Sequence, residues 1–364
     1  MRNIIDIADL TVVEIDELIK TAHQIIAEPA SFSTRAAGKI LATLFFEPST
    51  RTRLSFESAM LRLGGQVISM PSGQFSSASK GETIADTATV VSNYTDVIAM
   101  RHPLDGAALV AARHSRVPVI NAGDGGHYHP TQTLADLLTI ERQFGRLSGL
   151  TIVAVGDLLY GRTVHSLMHA LMRYPNNRFI MVSPHELRLP REIVTHVREN
   201  GSELIETASL DDCLEAADVM YMTRIQQERF HDPAQYARLK DAYILSADMV
   251  AREPEHAIVL HPLPRVNEIA VEVDKDPRAR YFEQTYNGMI MRMALLDYVM
   301  RDALADPNKE KRSFDLLPAD APRCPNSRCV THSEYGIKRL SYRWTSPAVS
   351  GHVRCGYCDA YLYR

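Results

Sequence analysis

Short apolar runs alternate along most of the chain with longer runs in which apolar residues recur every three or four positions. In the first part of the chain the short runs are Ile40–Phe46, Val67–Met70 and Val97–Met100. In the second part they begin at Leu150, Phe179, Val219, Tyr243 and Ala257. Uninterrupted apolar runs between helical segments are typical of parallel strands buried on both faces. The pattern therefore predicts an α/β protein with two doubly wound parallel-sheet domains.

The order of these runs also predicts domain boundaries. We expect a first domain at residues 1–130, a second at 131–281, and an apolar helix at 282–304 that returns to the first domain. Residues 305–322 are polar and interrupted by prolines, which indicates a linker. A small domain at 323–364 then ends the sequence.

The segment EPSTRTR, residues 47–53, lies between an apolar run and a helix-like run that we place from Leu54 to Leu63. Backbone N–H groups at a helix start have no intrahelical acceptor, and the helix dipole favours negative charge there. The segment therefore predicts an anion site made by Ser49, Thr50, Arg51 and Thr52. The alternative is a capped surface helix that carries arginines.

Three further segments favour the anion site. A loop of small polar residues carries Ser76 and Lys80, and Arg101 ends an apolar strand. The segment HYHPTQT, residues 127–133, precedes a helix with Pro130 at its first position. Its two histidines are also candidate metal ligands, but no carboxylate or cysteine set nearby completes such a site. A helix N-terminus favours neutral imidazole, so His129 is suited to donate a hydrogen bond to a carbonyl oxygen.

These segments occur in the order in which the aspartate and ornithine carbamoyltransferases carry their carbamoyl phosphate site, and the chain resembles that family over nearly its whole length. The resemblance implies that residues 49–52 hold the phosphate, while Thr52, Arg101 and His129 polarise the carbonyl. It implies that Gln132 and the backbone of Pro262 and Leu263 orient the carbamoyl amide. It also implies a trimer in which Ser76 and Lys80 reach in from a neighbouring subunit.

Three predicted strand ends in the second domain present Arg162, Arg224 and Arg265, with Gln226 alongside. An arginine fork matches a carboxylate in two-point geometry, which predicts a dicarboxylate substrate, although a solvated rim of arginines is the alternative. In the segment HPLP, residues 261–264, Pro262 stands where the ornithine enzymes carry a cysteine. The resemblance thus favours L-aspartate over ornithine or another amino acid.

The implied reaction gives N-carbamoyl-L-aspartate and phosphate, a step of pyrimidine biosynthesis. It needs no metal or organic cofactor, because phosphate is already a good leaving group. Positioning and charge stabilisation are expected to supply the catalysis, with Arg51 also meeting the charge on the departing phosphate.

Four of the five cysteines form two close pairs near the end of the sequence: Cys324, Cys329, Cys355 and Cys358. In a reducing compartment such pairs indicate one structural Zn²⁺ rather than disulfides. The spacing resembles the zinc domain of the aspartate carbamoyltransferase regulatory chain, here fused to a catalytic chain. No nucleotide-binding domain precedes the cysteines, so regulation by nucleotides through that route is not expected. The fifth cysteine, Cys213, is predicted to be a small buried hydrophobe.

Composition and charge indicate what the C-terminal segment could bind. The chain has 364 residues, is 45% hydrophobic and 23% charged, and carries a net charge of −4. Residues 323–364 have seven Lys/Arg against two Asp/Glu, a net of +5, which leaves −9 for residues 1–322. We favour docking of this basic segment on the acidic body of a neighbouring subunit, with assembly beyond the trimer. A zinc ribbon that binds nucleic acid, or a catalytically silent scaffold, is the alternative.

The N-terminus lacks the apolar stretch of a signal peptide, and no run reaches the length of a membrane span. A cytoplasmic protein without a membrane partner is therefore expected.

Overall fold

The computed structural model of the chain describes residues 2–225, 230, 232–302, 314–318, 321–343 and 353–363. It divides into two compact units. Unit 1 comprises Met1–Thr131 with Met289–Arg364, and unit 2 comprises Gln132–Gly288. No helix among the described residues is both long and apolar enough to cross a bilayer.

Unit 1 is built around a four-stranded parallel sheet. Its strands are β1 (Ile40–Phe45), β2 (Gln66–Met70), β3 (Val97–His102) and β4 (Val119–Asp124), in the order β2-β1-β3-β4. Its helices are α1 (Val12–Ala27), α2 (Thr50–Arg62), α3 (Ile84–Val91) and α4 (Ala107–His114). Phe45 at the end of β1 lies level with Arg101 of β3. The segments that follow β1, β3 and β4 therefore leave from the same edge of the sheet.

Helix α2 begins four residues earlier than its apolar pattern indicated. Ser49 is its N-cap residue, so Thr50, Arg51 and Thr52 form its first turn. Phe56, Ala59 and Met60 bury one face of the helix. The first turn lies in the polar segment at which the sequence predicts the helix start, and Thr52 already belongs to the buried face.

Unit 2 contains a five-stranded parallel sheet. Its strands are β5 (Thr151–Val155), β6 (Arg178–Val182), β7 (Glu203–Thr207), β8 (Val219–Met222) and β9 (Ile258–Leu260), in the order β7-β6-β5-β8-β9. Its helices include α5 (Pro130–Phe144), α6 (Arg162–Leu171), α7 (Arg191–Glu199), α8 (Pro233–Leu239), α9 (Ala247–Arg252) and the first turns of α10 (Tyr281–Asp302). The predicted α/β architecture with two parallel sheets is confirmed.

One predicted strand is wrong. The segment at Tyr243 makes only an isolated bridge, between Leu245 and Ile269, because Ser246 immediately caps α9. The fifth strand of the sheet is instead β7, whose sequence ELIET places polar residues at a sheet edge and so lacks a continuous apolar run.

The C-terminal segment folds as a small antiparallel sheet. Its strands are β10 (Asp315–Leu316), β11 (Leu340–Arg343), β12 (Val353–Cys355) and β13 (Tyr361–Tyr363). We call the described residues 314–318, 321–343 and 353–363 the cysteine domain. Strand β10 lies inside the predicted linker, so the end of that segment belongs to the domain. Residues 303–313, 319–320, 344–352 and 364 lie outside the described residues.

The cysteine domain packs on its own chain. Its four cysteines share a hydrophobic core with Ile84 and Ala88 of α3 and with Ala107 and Val110 of α4. Gly106 shows how close the packing is, because a Cβ there would lie 2.5 Å from the Tyr357 Cβ. The described residues of this segment therefore pack on the apolar faces of α3 and α4 of the same chain, and docking on a neighbouring subunit stays a prediction.

Candidate functional site

Arg51 and Arg101 bring two positive charges together at the edge of the unit 1 sheet. Arg101, on β3, donates through Nε to Glu47 Oε2 at 3.1 Å, and its second contact to the same oxygen is 3.0 Å. Burial lowers the pKa of Arg101, although Glu47 opposes that shift. Partial desolvation and the charge of Arg101 lower the pKa of Arg51. Two guanidinium groups that disfavour each other's charge at a helix start form a site that an anion would stabilise.

The neighbouring arginine is held differently. Arg53 Nη1 lies 3.3 Å from Glu57 Oε1, one helical turn away, and 3.2 Å from Ser69 Oγ. Thr43 completes this polar group by donating to Glu57 at 3.0 Å. Arg53 therefore belongs to a network between α2 and the sheet, whereas Arg51 interacts electrostatically with Arg101.

The remaining predicted residues of the anion site differ in exposure. Thr52 is buried, Ser49 is half-buried and Thr50 is exposed. Ser76 lies between two short 3₁₀ turns and donates to the carbonyl of Gly73 at 2.8 Å, while Lys80 is exposed. Within the described part of the chain, no hydrogen bond or ion pair joins Ser76 or Lys80 to Arg51 or Arg101.

His129 is buried at the start of α5 and has a defined polar neighbour. Its Nδ1 lies 3.4 Å from Thr131 Oγ1, and Arg292 Nη2 donates to the same hydroxyl at 3.2 Å. A guanidinium only donates, so the Thr131 hydroxyl accepts from Arg292 and has its own hydrogen available to donate to His129 Nδ1. This arrangement is compatible with the imidazole tautomer that carries its hydrogen on Nε2. Arg292 itself lies over the Phe56 ring, 5.2 Å from its centre.

Two carboxylates that sequence reasoning missed shape the loops around Arg101 and His129. Asp124, fully buried at the end of β4, accepts from the Gly106 amide at 2.8 Å and from the Tyr128 amide at 3.1 Å. Asp105 accepts from the Gly126 amide at 2.7 Å. Their only signal is the glycine-rich turn at residues 123–126, in which polar side chains commonly bond to the backbone.

Gln132, at the start of unit 2, donates to a buried carboxylate together with other side chains. Its Nε2 donates to Asp136 Oδ1 at 2.7 Å, and Gln284 Nε2 does so at 2.5 Å. Tyr221 donates to the other oxygen at 2.9 Å. Because a carboxylate only accepts, the Gln132 amide must present its nitrogen to Asp136 and keep its oxygen as an acceptor elsewhere.

The segment at residues 261–264 is fixed through His261. Burial lowers the pKa of His261, with the charges of Arg265 and Arg224 acting in the same direction and Glu268 opposing them. The Leu263 amide donates to His261 Nδ1 at 2.7 Å, so the Nε2 hydrogen faces Glu268 Oε1, also at 2.7 Å. A neutral imidazole thereby holds the Leu263 backbone in a left-handed conformation, φ 52°.

The predicted arginines follow three adjacent strands of the unit 2 sheet, β5, β8 and β9. Arg162 opens α6, and Arg224 lies two residues beyond β8. The loops after β5 and β8 lie close together. A Cβ on Gly156 would lie only 2.3 Å from the Thr223 carbonyl oxygen. The electrostatic effect on His261 places Arg224 near the 261–264 segment. Gln226 lies outside the described residues.

Arg265 has a partner within its own chain. Both ends of its guanidinium donate to Asp274, one of them at 2.6 Å, and Nη1 also donates to the Tyr281 hydroxyl at 3.1 Å. A substrate carboxylate at Arg265 would have to compete with Asp274 for this fork, so its role in substrate binding stays a prediction. The pairing leaves no sequence signal, because Asp274 lies nine positions away in an irregular segment.

The four cysteines of the C-terminal segment form a cluster suited to a metal. All are buried, and their Sγ atoms lie within 4.8 Å of one another. Cys324 Sγ is 3.4 Å from Cys358 Sγ, and Cys329 Sγ is 3.7 Å from Cys355 Sγ. A tetrahedral ion with four thiolates at about 2.3 Å places sulfur atoms about 3.8 Å apart. The donor set therefore fits a tetrahedral metal ion and is too widely spaced for disulfides.

Two family models match the chain. The model described as "Aspartate/ornithine carbamoyltransferase, carbamoyl-P binding domain" matches residues 2–142. The model described as "Aspartate/ornithine carbamoyltransferase, Asp/Orn binding domain" matches residues 148–299. Neither reaches the four clustered cysteines.

Individual relatives agree with these models. The aspartate carbamoyltransferase catalytic subunit of Clostridium perfringens is 57% identical over 303 residues, covering 83% of this chain and 99% of the relative. The catalytic subunit of M. jannaschii aspartate transcarbamoylase has a TM-score of 0.78 and 47% identity, covering 84% of this chain and 100% of that one. Aspartate transcarbamoylase from Trypanosoma cruzi, solved with carbamoyl phosphate and aspartate, has a TM-score of 0.78 and 38% identity, covering 82% and 96%.

The cysteine geometry predicts one tetrahedral metal site per chain. Titration of the metal-free protein with Co²⁺ is expected to saturate at one ion and to produce the visible and near-ultraviolet bands of a four-thiolate complex. Cys355→Ser should remove that spectrum, whereas Cys213→Ser, at the buried cysteine of unit 2, should leave it intact. Loss of the bands in both variants, or in neither, would contradict the assignment.

Proposed function

The chain belongs to the aspartate and ornithine carbamoyltransferase family, and from that premise we propose that it transfers the carbamoyl group of carbamoyl phosphate to the α-amine of L-aspartate. The products are N-carbamoyl-L-aspartate and phosphate, which places the reaction in pyrimidine biosynthesis. The observation that carries the proposal is the Arg51–Arg101 pair at the start of α2, where two positive charges meet unsatisfied backbone donors.

The phosphate group binds at this helix start. Ser49, Thr50 and Thr52 supply hydroxyl and backbone donors, and Arg51 supplies charge. Because Arg51 and Arg101 disfavour each other's charge, a dianion between them relieves that repulsion. The relief grows as the C–O bond of the mixed anhydride breaks and negative charge collects on phosphate, so Arg51 stabilises the transition state more than the bound substrate.

The carbamoyl carbonyl accepts hydrogen bonds from His129, Arg101 and Thr52. The contact with Thr131 supports this role for His129, because the Thr131 hydroxyl can donate to Nδ1 when the imidazole carries its hydrogen on Nε2. A neutral imidazole can donate to the carbonyl oxygen without adding a third cation beside the two arginines. Arg292 acts only through Thr131 in this scheme and is a positioning residue.

The carbamoyl amide needs acceptors, and unit 2 supplies candidates. Gln132 turns its nitrogen toward Asp136, which keeps its oxygen for the amide hydrogens. The backbone carbonyls of Pro262 and Leu263 are the second candidates, and the bond from the Leu263 amide to His261 fixes their geometry. Acceptors orient the planar carbamoyl group so that its carbon faces the incoming amine.

L-aspartate binds through its two carboxylates. Arg224 is the first candidate, since it lies near the 261–264 segment that orients the carbamoyl group. Arg162 is the second, on the adjacent strand β5, and Gln226 stays a sequence-based prediction. The guanidinium groups of two arginines favour a substrate with two carboxylates. The cationic side chain of ornithine would be repelled by the same groups.

The chemical step is a balanced acyl transfer. The aspartate amine attacks the carbamoyl carbon, a C–N bond forms, and the C–O bond to phosphate breaks. The departing phosphate carries the electron pair and takes the proton that the amine loses. No residue needs to act as a separate base, and no metal or organic cofactor takes part in this scheme.

The active oligomer is a trimer in which Ser76 and Lys80 complete the site of a neighbouring subunit. Lys80 is exposed on its loop, as such a role requires. Leu54 and Leu61 of α2 are 50% and 61% exposed, and Ile68 lies on the edge strand β2. An apolar surface beside the phosphate site fits burial against a second copy of the chain.

The cysteine domain holds one structural Zn²⁺ and is related to the zinc domain of the aspartate carbamoyltransferase regulatory chain. Zinc matches the all-thiolate donor set and the sulfur spacing. A second contact surface on this domain would extend the trimer into a larger assembly. Four thiols kept for a metal also fit a reducing compartment, so we place the enzyme in the cytoplasm.

The choice of acceptor tests the proposed function. Purified protein with carbamoyl phosphate is expected to release phosphate and form a carbamoylated product with L-aspartate, and to show little turnover with L-ornithine. Product is measured by the colour reaction of its ureido group, and N-acetylated aspartate serves as the control without a free amine. Turnover with ornithine alone would contradict the acceptor, and no turnover with any acceptor would contradict the transferase.

The pair Arg224→Ala and Arg265→Ala tests the division of roles among the arginines. Arg224→Ala should raise the KM for aspartate about 10- to 150-fold, the equivalent of losing about 1.5–3 kcal/mol from a charged hydrogen bond, and leave carbamoyl phosphate binding and the melting temperature unchanged. Arg265→Ala should lower the melting temperature, because it leaves Asp274 without its partner. The reverse result would show that Arg265 holds the substrate.

A further inference from the structure

Each half of the cysteine cluster is bonded to one loop of the proposed active site. The first pair, Cys324 and Cys329, encloses a turn that we call the first knuckle; the second pair, Cys355 and Cys358, with Asp359 forms the second knuckle. The loop that follows Arg101 meets the first knuckle, and the loop that precedes His129 meets the second. A domain outside both family models is thus in direct contact with two loops that lie within them.

The first contact centres on Asp105, four residues after Arg101. The Asp105 amide donates to the Arg328 carbonyl at 3.0 Å, and the Val330 amide donates to the Asp105 carbonyl at 2.9 Å. The Asn326 side chain donates to Asp105 Oδ2 at 2.7 Å. The first knuckle thus contacts the loop after Arg101 largely through backbone hydrogen bonds.

The second contact depends on one side chain. Asp359 Oδ2 accepts from His127 Nε2 at 2.9 Å and from the Tyr128 hydroxyl, and Oδ1 accepts from the Tyr342 hydroxyl at 2.7 Å. The Asp359 side chain is only 12% exposed, so these bonds are shielded from water. His127 and Tyr128 are the two residues before His129.

The other side of the same loop is held by Asp124. His127 Nδ1 lies 3.2 Å from Asp124 Oδ2, so the imidazole bridges two carboxylates. A histidine with both nitrogens against carboxylates is a double donor and carries a positive charge. Asp124, His127 and Asp359 therefore form one continuous ionic chain from the end of β4 to the second knuckle.

We propose that Asp359 is a positioning residue for carbamoyl transfer. It fixes His127 and Tyr128, and through them it orients the His129 imidazole toward the carbamoyl oxygen. This rests on the proposed function, since it takes the role of His129 from there. The cysteine domain then acts within its own chain as a support for the active site. A displacement of about 1 Å at a catalytic group can cost about 100-fold in rate, so a single support of this kind has a measurable effect.

The backbone at Asp359 makes a clean test possible. Its φ is 60°, in the left-handed region, which asparagine adopts nearly as readily as aspartate. Asp359→Asn therefore removes the charge and one acceptor without straining the turn. Glu334→Gln is the matched control, because Glu334 also joins the domain to the rest of unit 1, accepting from the Ala85 amide at 3.1 Å, but it contacts α3 rather than the His129 loop.

We expect Asp359→Asn to lower kcat about 10- to 100-fold, while one Co²⁺ still binds with an unchanged spectrum and calorimetry gives an unchanged Kd for inorganic phosphate. Glu334→Gln should retain the wild-type kcat. Tyr128→Phe removes a bond to Asp359 from the receiving side without altering the cysteine domain, and should also lower kcat. If both residues act through one loop, the double variant Tyr128→Phe/Asp359→Asn should be no slower than Asp359→Asn.

Unchanged kcat in both single variants would overturn the inference while the transferase activity of the wild type stands. An equal loss of kcat in Glu334→Gln would also overturn it, since any weakening of the domain contact would then suffice. If Asp359→Asn fails to fold or to bind Co²⁺, Tyr128→Phe decides alone. A wild-type protein without transfer activity would instead refute the proposed function, and the inference with it.

Discussion

The repulsion between Arg51 and Arg101 is the constraint on which the account of this protein depends. Parallel strands β1 and β3 are neighbours in register, so the residues at their carboxyl ends must lie side by side. Burial lowers the pKa of both arginines, and the charge of Arg101 lowers the pKa of Arg51 further, so the charge of Arg51 is unfavourable in the absence of an anion. The fold thus places a positively charged site at one edge of the unit 1 sheet. Its charge alone would stabilise a bound phosphate, apart from any individual hydrogen bond.

His102, the residue after Arg101, adds no positive charge to this site. Burial lowers the pKa of His102 to about 4 despite nearby Asp124, and it lowers the pKa of His261 as well. His102 and His261 each use Nδ1 to accept from a backbone amide two residues on, at 3.1 and 2.7 Å. Each uncharged imidazole can therefore fix the backbone of its own loop without adding a positive charge there. His127 is the exception, because two carboxylates raise its pKa well above the usual value.

Short sequence patterns predicted the structural features that depend on residues close together in the sequence. Buried parallel strands, the helix start at residues 49–52 and the two cysteine pairs each occupy a short stretch with a recognisable pattern. Contacts between distant residues leave no such pattern. His127 and Asp359 lie 232 positions apart, and no sequence pattern near either residue predicts their contact. The pairing of Arg265 with Asp274 and the packing of the cysteines on α3 and α4 escaped prediction for the same reason.

The most direct test of the account compares Arg51→Ala with Arg53→Ala, two positions apart in the first turn of α2. Arg53 is bonded to Glu57 and Ser69, so its loss should leave kcat close to that of the wild type. Loss of Arg51 should lower kcat about 10²- to 10³-fold, the usual effect of removing one preorganised donor from a transition state. Steady-state kinetics with carbamoyl phosphate and L-aspartate would measure both. A normal kcat in Arg51→Ala with only a raised KM, or an equal loss in both variants, would contradict the account.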